Sequence, residues 1–286
     1  MHTRFLPPLA LLLVLALLPL SGLAAADVPL ERTVSELPGY QSDSLDIQIA
    51  QHQWTYKKHR LAFFVVHATL AEAGQLRTAF ARDTYHKKYT EDTLSIAERN
   101  AAVLAVNGDY YNHSNQSGVV LRNGELYRNL ASSRDLLWID RDGALHAILK
   151  SERSGEMGEA LLAQGAVQAF EFGPALVRDG AALTLPDKYF LSMNEEIREP
   201  RTAIGWVDGL HYVFVVADGR RREWSDKGMT LTELQDVLLQ EGCQVAYNLD
   251  GGGSATLYFR GEVLNQPAGG SQRKVSDIVL LCEAAR

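Results

Sequence analysis

Three tight-turn dipeptides constrain this chain more than any other feature. Asn123-Gly124 separates Val119–Arg122 from Glu125–Arg128, Asp142-Gly143 separates Leu136–Ile139 from Ala144–Leu149, and Asp208-Gly209 separates Ala203–Val207 from His211–Ala217. Asn or Asp followed by Gly tolerates the positive φ of a two-residue hairpin turn, whose twist matches that of paired strands. Each dipeptide therefore predicts two antiparallel neighbours. Leu45, Ile47 and Ile49 alternate with Asp46 and Gln48 as a half-buried strand does, and the Phe- and Val-rich Leu61–Thr69 reads as a buried strand. Ala101–Val106 and Val245–Leu249 are short apolar runs of strand length. Helices are few. Ser95 with Glu98 suggests a short capped helix over Ser95–Asn100. Leu231–Glu241 carries Leu231, Leu234, Val237 and Leu238 on one face, a Thr230/Glu233 capping box before it and Gly242 as its stop. The expected fold is α+β, with mixed, mainly antiparallel sheets and a few helices in one domain.

The first residues address the compartment. Arg4, an apolar run from Leu9 to Leu20, then Ser21, Gly22 and Ala24-Ala25-Ala26 have the layout of a secretory signal peptide over residues 1–26. The run is shorter than the ~20 apolar residues of a spanning helix and holds Pro19. No Cys follows it to carry lipid. The expectation is an exported chain, periplasmic or secreted, with no membrane anchor once processed. Residues 27–59 read as a lead-in, polar and loosely ordered up to residue 44 and then a first strand, with the main domain over 60–286. A formal net charge of −7 argues against nucleic acid or an anionic membrane as partner. It leaves room for an anionic small substrate held by local arginines. Cys243 and Cys282 are open to two readings, one disulfide or two buried thiols. Nothing in the pattern specifies an oligomeric state.

Polar clusters recur at the ends of apolar runs. Asn107-Gly108-Asp109-Tyr110-Tyr111-Asn112 follows Ala101–Val106, Glu199-Pro200-Arg201-Thr202 precedes Ala203–Val207, and Asp218-Gly219-Arg220 follows Tyr212–Ala217. The most unusual is Asn248-Leu249-Asp250-Gly251-Gly252-Gly253-Ser254-Ala255-Thr256. Consecutive glycines let backbone N–H groups approach an anion, with Ser254 and Thr256 as hydroxyl donors. No Lys follows them, so this is not a Walker-type phosphate loop. It also lacks the last Gly of a nucleophile elbow. Taken singly, each cluster reads equally as turn chemistry, and Arg221 and Arg222 as a solvated face.

Together these clusters resemble the motif series of the phosphodiester glycosidase domain family. The carriers are Asn107–Tyr111, Pro200–Gly205, Asp218–Arg220 and Asn248–Thr256. Gly118-Val119-Val120, Gly173-Pro174, Asp179-Gly180, Gly228-Met229-Thr230-Leu231 and Arg273-Lys274-Val275 fall in the matching order. The likeness spans roughly residues 60–282. It implies an enzyme that hydrolyses the bond between a sugar's anomeric carbon and a phosphodiester oxygen, on a carbohydrate or glycosyl-phosphate substrate.

A phosphate monoester is a good leaving group, so such a site needs anion stabilisation more than a strong acid. Arginine's planar fork suits it. Arg201 is the first candidate for the phosphate clamp, with Arg220 and Arg273 next, joined by Thr202, Asn107, Gly219, Ser254, Thr256 and the amides of Gly251, Gly252 and Gly253. Asp250 is the leading catalytic carboxylate, with Asp218 or Asp109 as the second. An Asp beside bound phosphate implies a perturbed carboxyl and a close arginine. No cofactor is expected; the competing arrangement is a calcium or magnesium ion on Asp109, Asp218 and Asp250. The eight histidines, His52, His59, His67 and His211 among them, show no zinc spacing, and His67 reads as a satisfied core residue. The alternative function is a non-catalytic glycan- or exopolysaccharide-binding protein on the same scaffold. A third is a phosphodiesterase cleaving P–O rather than C–O.

Overall fold

The computed structural model describes residues 29–111, 117–187, 197–220 and 226–284. The expected export segment lies outside them, as do Asn112, Arg221 and Arg222. In chain order the strands are β1 (Glu31–Gln41), β2 (Leu45–Thr55), β3 (Arg60–Leu70), β4 (Leu76–Phe80), β5 (Leu104–Asn107), β6 (Val119–Arg122), β7 (Glu125–Asn129), β8 (Leu136–Asp140) and β9 (Leu145–Ile148). They continue as β10 (Ala166–Phe170), β11 (Ala175–Arg178), β12 (Ala181–Ala182), β13 (Arg201–Asp208), β14 (His211–Ala217), β15 (Val245–Asn248), β16 (Leu257–Phe259), β17 (Glu262–Val263) and β18 (Asp277–Leu281). The α-helices among the described residues are α1 (Thr93–Arg99), α2 (Gly158–Ala163) and α3 (Leu231–Gln240).

These strands form an eight-stranded sheet, β1-β2-β3-β14-β13-β15-β11-β12, and two five-stranded sheets, β7-β6-β10-β8-β9 and β17-β16-β5-β18-β4. Every pairing between them is antiparallel. The fold is α+β with sheets predominating. The turn dipeptides join β6 to β7, β8 to β9 and β13 to β14. Asn123 and Gly124 take φ of 50° and 82°, the conformation that selects Asn-Gly in such hairpins.

The layers follow from which faces are apolar. One face of the large sheet (Ile47, Ile49, Phe64, Val66, Phe214) packs against both small sheets through Val106, Ile139, Phe170, Leu257 and Val279, making the main core. The other face (Phe63, Val65, Val215) is covered by Leu231, Leu234, Val237 and Leu238 of α3. α1 and α2 cover the small sheets' outer faces. The Thr230/Glu233 capping box is formed.

Three expectations change, and the open reading of the cysteines resolves to one of its two alternatives. Residues 31–41, read as part of a loose lead-in, form β1, which pairs with β2 along its length. Their polar alternation comes from a strand exposed on its outer side. Helix α1 starts two residues before Ser95, because Asp92 is the cap and its carboxylate accepts from the Ser95 N–H at 3.0 Å. His67 is half-buried rather than core, with Nδ1 facing His211 Nε2 and Nε2 facing Glu241 Oε2, both at 3.0 Å. Cys243 and Cys282 are free buried thiols, packed in the separate cores under α3 and α1.

Candidate active site

Strand directions gather the polar clusters. β13 begins where β14 and β15 end, with Arg201 opposite Ala217 and Ala203 opposite Asn248. β5, in a different sheet, delivers Asn107 to the same place. Asn107 is fully buried and joins the two layers. Its Nδ2 donates to the Asp250 carbonyl at 2.5 Å, while its Oδ1 accepts from Thr202 Oγ1 at 2.7 Å and the Thr256 N–H at 3.2 Å. Asn107, Thr202 and Thr256 therefore hold the glycine loop in place rather than line its mouth.

Within the loop, Asp250 is buried. Its Oδ1 accepts from the Gly251 N–H at 2.9 Å and its Oδ2 from Ser254 Oγ at 2.7 Å and Arg273 Nη2 at 2.9 Å. Burial pushes the carboxyl above the usual Asp range, against the pull of Arg273, Ser254 and the Gly251 amide. Glycine is required by close approach: a Cβ on Gly251 would lie 2.5 Å from the Pro200 carbonyl oxygen. Gly252 takes a φ of +59° and donates its N–H to that same oxygen at 2.8 Å. The amides of Gly251 and Gly252 are thus committed inside the protein, contrary to the expectation that they face an anion.

Guanidinium groups take the positions the amides leave. Arg273 reaches over the loop to Asp250 and Ser254, with its side chain 48% exposed. Arg220 lies over Gly252, its Nη2 3.3 Å from where a Cβ would be, and pairs with Glu199. Its backbone is left-handed, φ 60°, a conformation that an arginine adopts only when its surroundings impose it. Gly219 packs against the Gly228 backbone with no room for a Cβ. Arg201 is placed differently from the expectation of a first clamp. It is buried, donating Nε to the Met229 carbonyl at 3.0 Å and Nη2 to that of Ile197 at 2.6 Å, which ties the start of β13 to the turn before α3.

The other two carboxylates stand in separate surroundings. Asp218 Oδ1 accepts from Asn265 Nδ2 at 3.1 Å and the Gln266 N–H at 2.8 Å, and Asn265 also donates to Ala255. Asp109 accepts from its neighbour's N–H and from the Glu171 N–H at 2.7 Å, beside the buried pair Arg122–Asp277. Burial raises Asp277 to about 6 even with Arg122 against it. The trio proposed for a cation thus has three sets of partners, and among the described residues no three His, Cys, Asp or Glu side chains form a metal cluster.

Glu199 and Asn265 belong to this site and were not singled out from sequence. Glu199 lies within the Glu199–Thr202 cluster, and that membership is its signal in the sequence. Asn265 had no such signal; only the chain's return through Glu262–Val263 brings it under the loop.

The phosphodiester glycosidase family model matches residues 100–282. The chain is 28% identical over 197 residues to the SPbeta prophage-derived uncharacterized protein YomE of Bacillus subtilis (strain 168), a match covering 67% of this chain and 29% of that protein. It thus spans under a third of that relative's length. The zebrafish N-acetylglucosamine-1-phosphodiester alpha-N-acetylglucosaminidase catalytic domain, auto-inhibited by its pro-peptide, shares the fold with a TM-score of 0.67 at 18% identity over 88% of each chain. A protein of Burkholderia pseudomallei K96243 described as a candidate exported protein does so with a TM-score of 0.61 at 12% identity, over 88% of this chain and 96% of that one.

Proposed function

Because this chain belongs to the phosphodiester glycosidase family, we propose that it is an exported hydrolase that cleaves sugar–phosphate diesters of envelope or extracellular glycans. The observation that carries this reading is a buried Asp250 carboxyl in contact with a half-exposed Arg273, with Arg220 over the adjoining glycine. Anion-binding arginines from two other segments thus meet a proton-accepting carboxyl at one loop.

In the proposed reaction the bond between the anomeric carbon and the phosphate oxygen breaks, and the phosphate monoester leaves with the electron pair. Arg273 and Arg220 bind its oxygens, a role their planar, permanently charged forks suit. The Asp250 carboxylate faces the positive charge that develops on the sugar and takes the proton of the water whose oxygen bonds to the anomeric carbon. Arg273 lies between that carboxylate and solvent, which offsets the repulsion between Asp250 and a bound phosphate.

The test is release of sugar and phosphate monoester from a glycosyl phosphodiester by wild type and Asp250→Asn, with and without chelator, in ¹⁸O-labelled water. The reading expects label in the sugar, retention after chelation and a loss of at least ~100-fold in the variant. Label in phosphate would instead identify a phosphodiesterase. A folded protein that turns over no glycosyl phosphodiester would favour a glycan-binding role.

A further inference from the structure

The large sheet outruns the layer that covers it. Along β2, positions 45, 47 and 49 are Leu, Ile and Ile, buried in the main core, but the same face continues as Gln51 and Gln53. On β3 it runs from Val66 and Phe64 to Ala62 and Arg60, and on β14 from Phe214 and Val216 to Asp218. β1 adds Thr33, opposite Gln53. The apolar face thus turns into amides and hydroxyls where the small sheets stop, and a concavity of about 350 Å³ opens there. It ends against Asp218 and Gln266, whose neighbour Asn265 donates to Ala255 in the glycine loop.

We propose that this groove is a binding site for neutral sugar residues, the glycan that extends from the reacting phosphodiester. The inference rests on the hydrolase reading for what it extends from, and on the groove itself for what it binds. Its volume falls within the ~300–1,000 Å³ of small-molecule sites. Its uncharged polar lining, Gln51, Gln53, Gln266, Thr33 and Thr55, consists of carboxamides and hydroxyls, which donate and accept at once, as vicinal hydroxyls require. Among the described residues, none shares a hydrogen bond with the Gln51 or Gln53 side chain. One basic and three acidic groups line the groove, Arg60 with Glu31, Asp218 and Asp226. That mixture does not select for an anion, so the phosphate belongs at Arg220 and Arg273 and the uncharged chain here. Position supports the division: Asp218 of the groove and Ala255 of the glycine loop both accept from Asn265.

The test uses the full chain carrying Asp250→Asn, which removes cleavage. Neutral tetrasaccharides of glucose, mannose and N-acetylglucosamine are titrated while the side-chain amide resonances of Gln51 and Gln53 are followed. The proposal expects saturable shifts of these amides with at least one tetrasaccharide. It also expects affinity to fall at least tenfold in Gln51→Leu/Gln53→Leu and in Gln266→Ala, each shown to fold by its urea transition. In the active chain, the same substitutions should raise KM for an oligosaccharide-bearing phosphodiester while leaving kcat and a monosaccharide phosphodiester within twofold. No shift with any tetrasaccharide, or an affinity measured by titration calorimetry that neither variant lowers, would overturn the groove. Binding without any phosphodiester turnover would instead overturn the hydrolase reading and leave the groove standing.

Discussion

Asn107→Ala removes a side chain that reaches from β5 into the glycine loop and β13 together. The substitution strips partners from three buried groups: the Asp250 carbonyl, the Thr256 N–H and the Thr202 hydroxyl. A buried donor or acceptor left without a partner costs about 1–3 kcal/mol. The hydroxyl of Thr202 can rotate to another acceptor, but the two backbone groups cannot turn away without moving the loop. Those two set a range of roughly 2–6 kcal/mol, and a water entering the vacated space lowers it, so we expect about 3 kcal/mol. Equilibrium urea unfolding of wild type and variant measures this. Asn107→Asp sharpens the comparison, because it keeps the shape but places an acceptor against the Asp250 carbonyl. Only the protonated acid can donate there, so folding raises this carboxyl's pKa. Its contribution to stability is therefore present at low pH and lost as pH rises. A loss below about 1 kcal/mol in Asn107→Ala, well under the cost of two unsatisfied backbone groups, would refute the idea that this residue holds the layers together.

Gly251→Ala should reduce sugar release at least tenfold and destabilise the chain by about 1–3 kcal/mol, since its Cβ would press on the Pro200 carbonyl; activity and urea midpoint are read on the same sample. Asp277, raised to about 6 by burial, gives stability that is complete below the ordinary Asp range near 4 and lost as pH rises through about 6. Unfolding free energies measured from pH 4 to 7 should show that downward component, and Asp277→Asn should remove it. Thr230→Ala breaks the α3 capping box, in which Thr230 Oγ1 accepts from the Glu233 N–H at 3.1 Å, and should cost about 1 kcal/mol by thermal or urea unfolding.

The parts of the fold visible in sequence are those set by local chemistry. Asn123-Gly124 specifies its own turn, and Thr230 with Glu233 specifies the start of α3, wherever the rest of the chain lies. The polar clusters were legible as strand-end motifs because β5, β13, β14 and β15 each switch abruptly from apolar to polar. What the sequence leaves open is which donors are already committed. Arg201 and Arg273 look alike as residues in motifs. Only packing shows that Arg201 ties down the Met229 and Ile197 carbonyls, while Arg273 stands half in solvent over Asp250. The same holds for Gly251 and Gly252, whose flexibility is plain in sequence but whose N–H groups turn inward. Residues 31–41 do not read as a strand because one exposed on its outer side buries too little to show an apolar period.

That exposed strand carries a risk of its own. An eleven-residue strand at the margin of a sheet offers free backbone groups to any other extended chain it meets. Here the offer is interrupted. The register with β2 slips between Leu37 and Tyr40, at Pro38-Gly39, where Pro has no N–H to give and Gly39 lies so close to the Ile47 carbonyl that a side chain would collide with it. Glu31, Arg32 and Glu36 place charge on either side of Val34. The margin is kinked and charged enough to discourage a second strand from docking, so the polar character that hid β1 in the sequence also keeps the folded chain from templating its own aggregation.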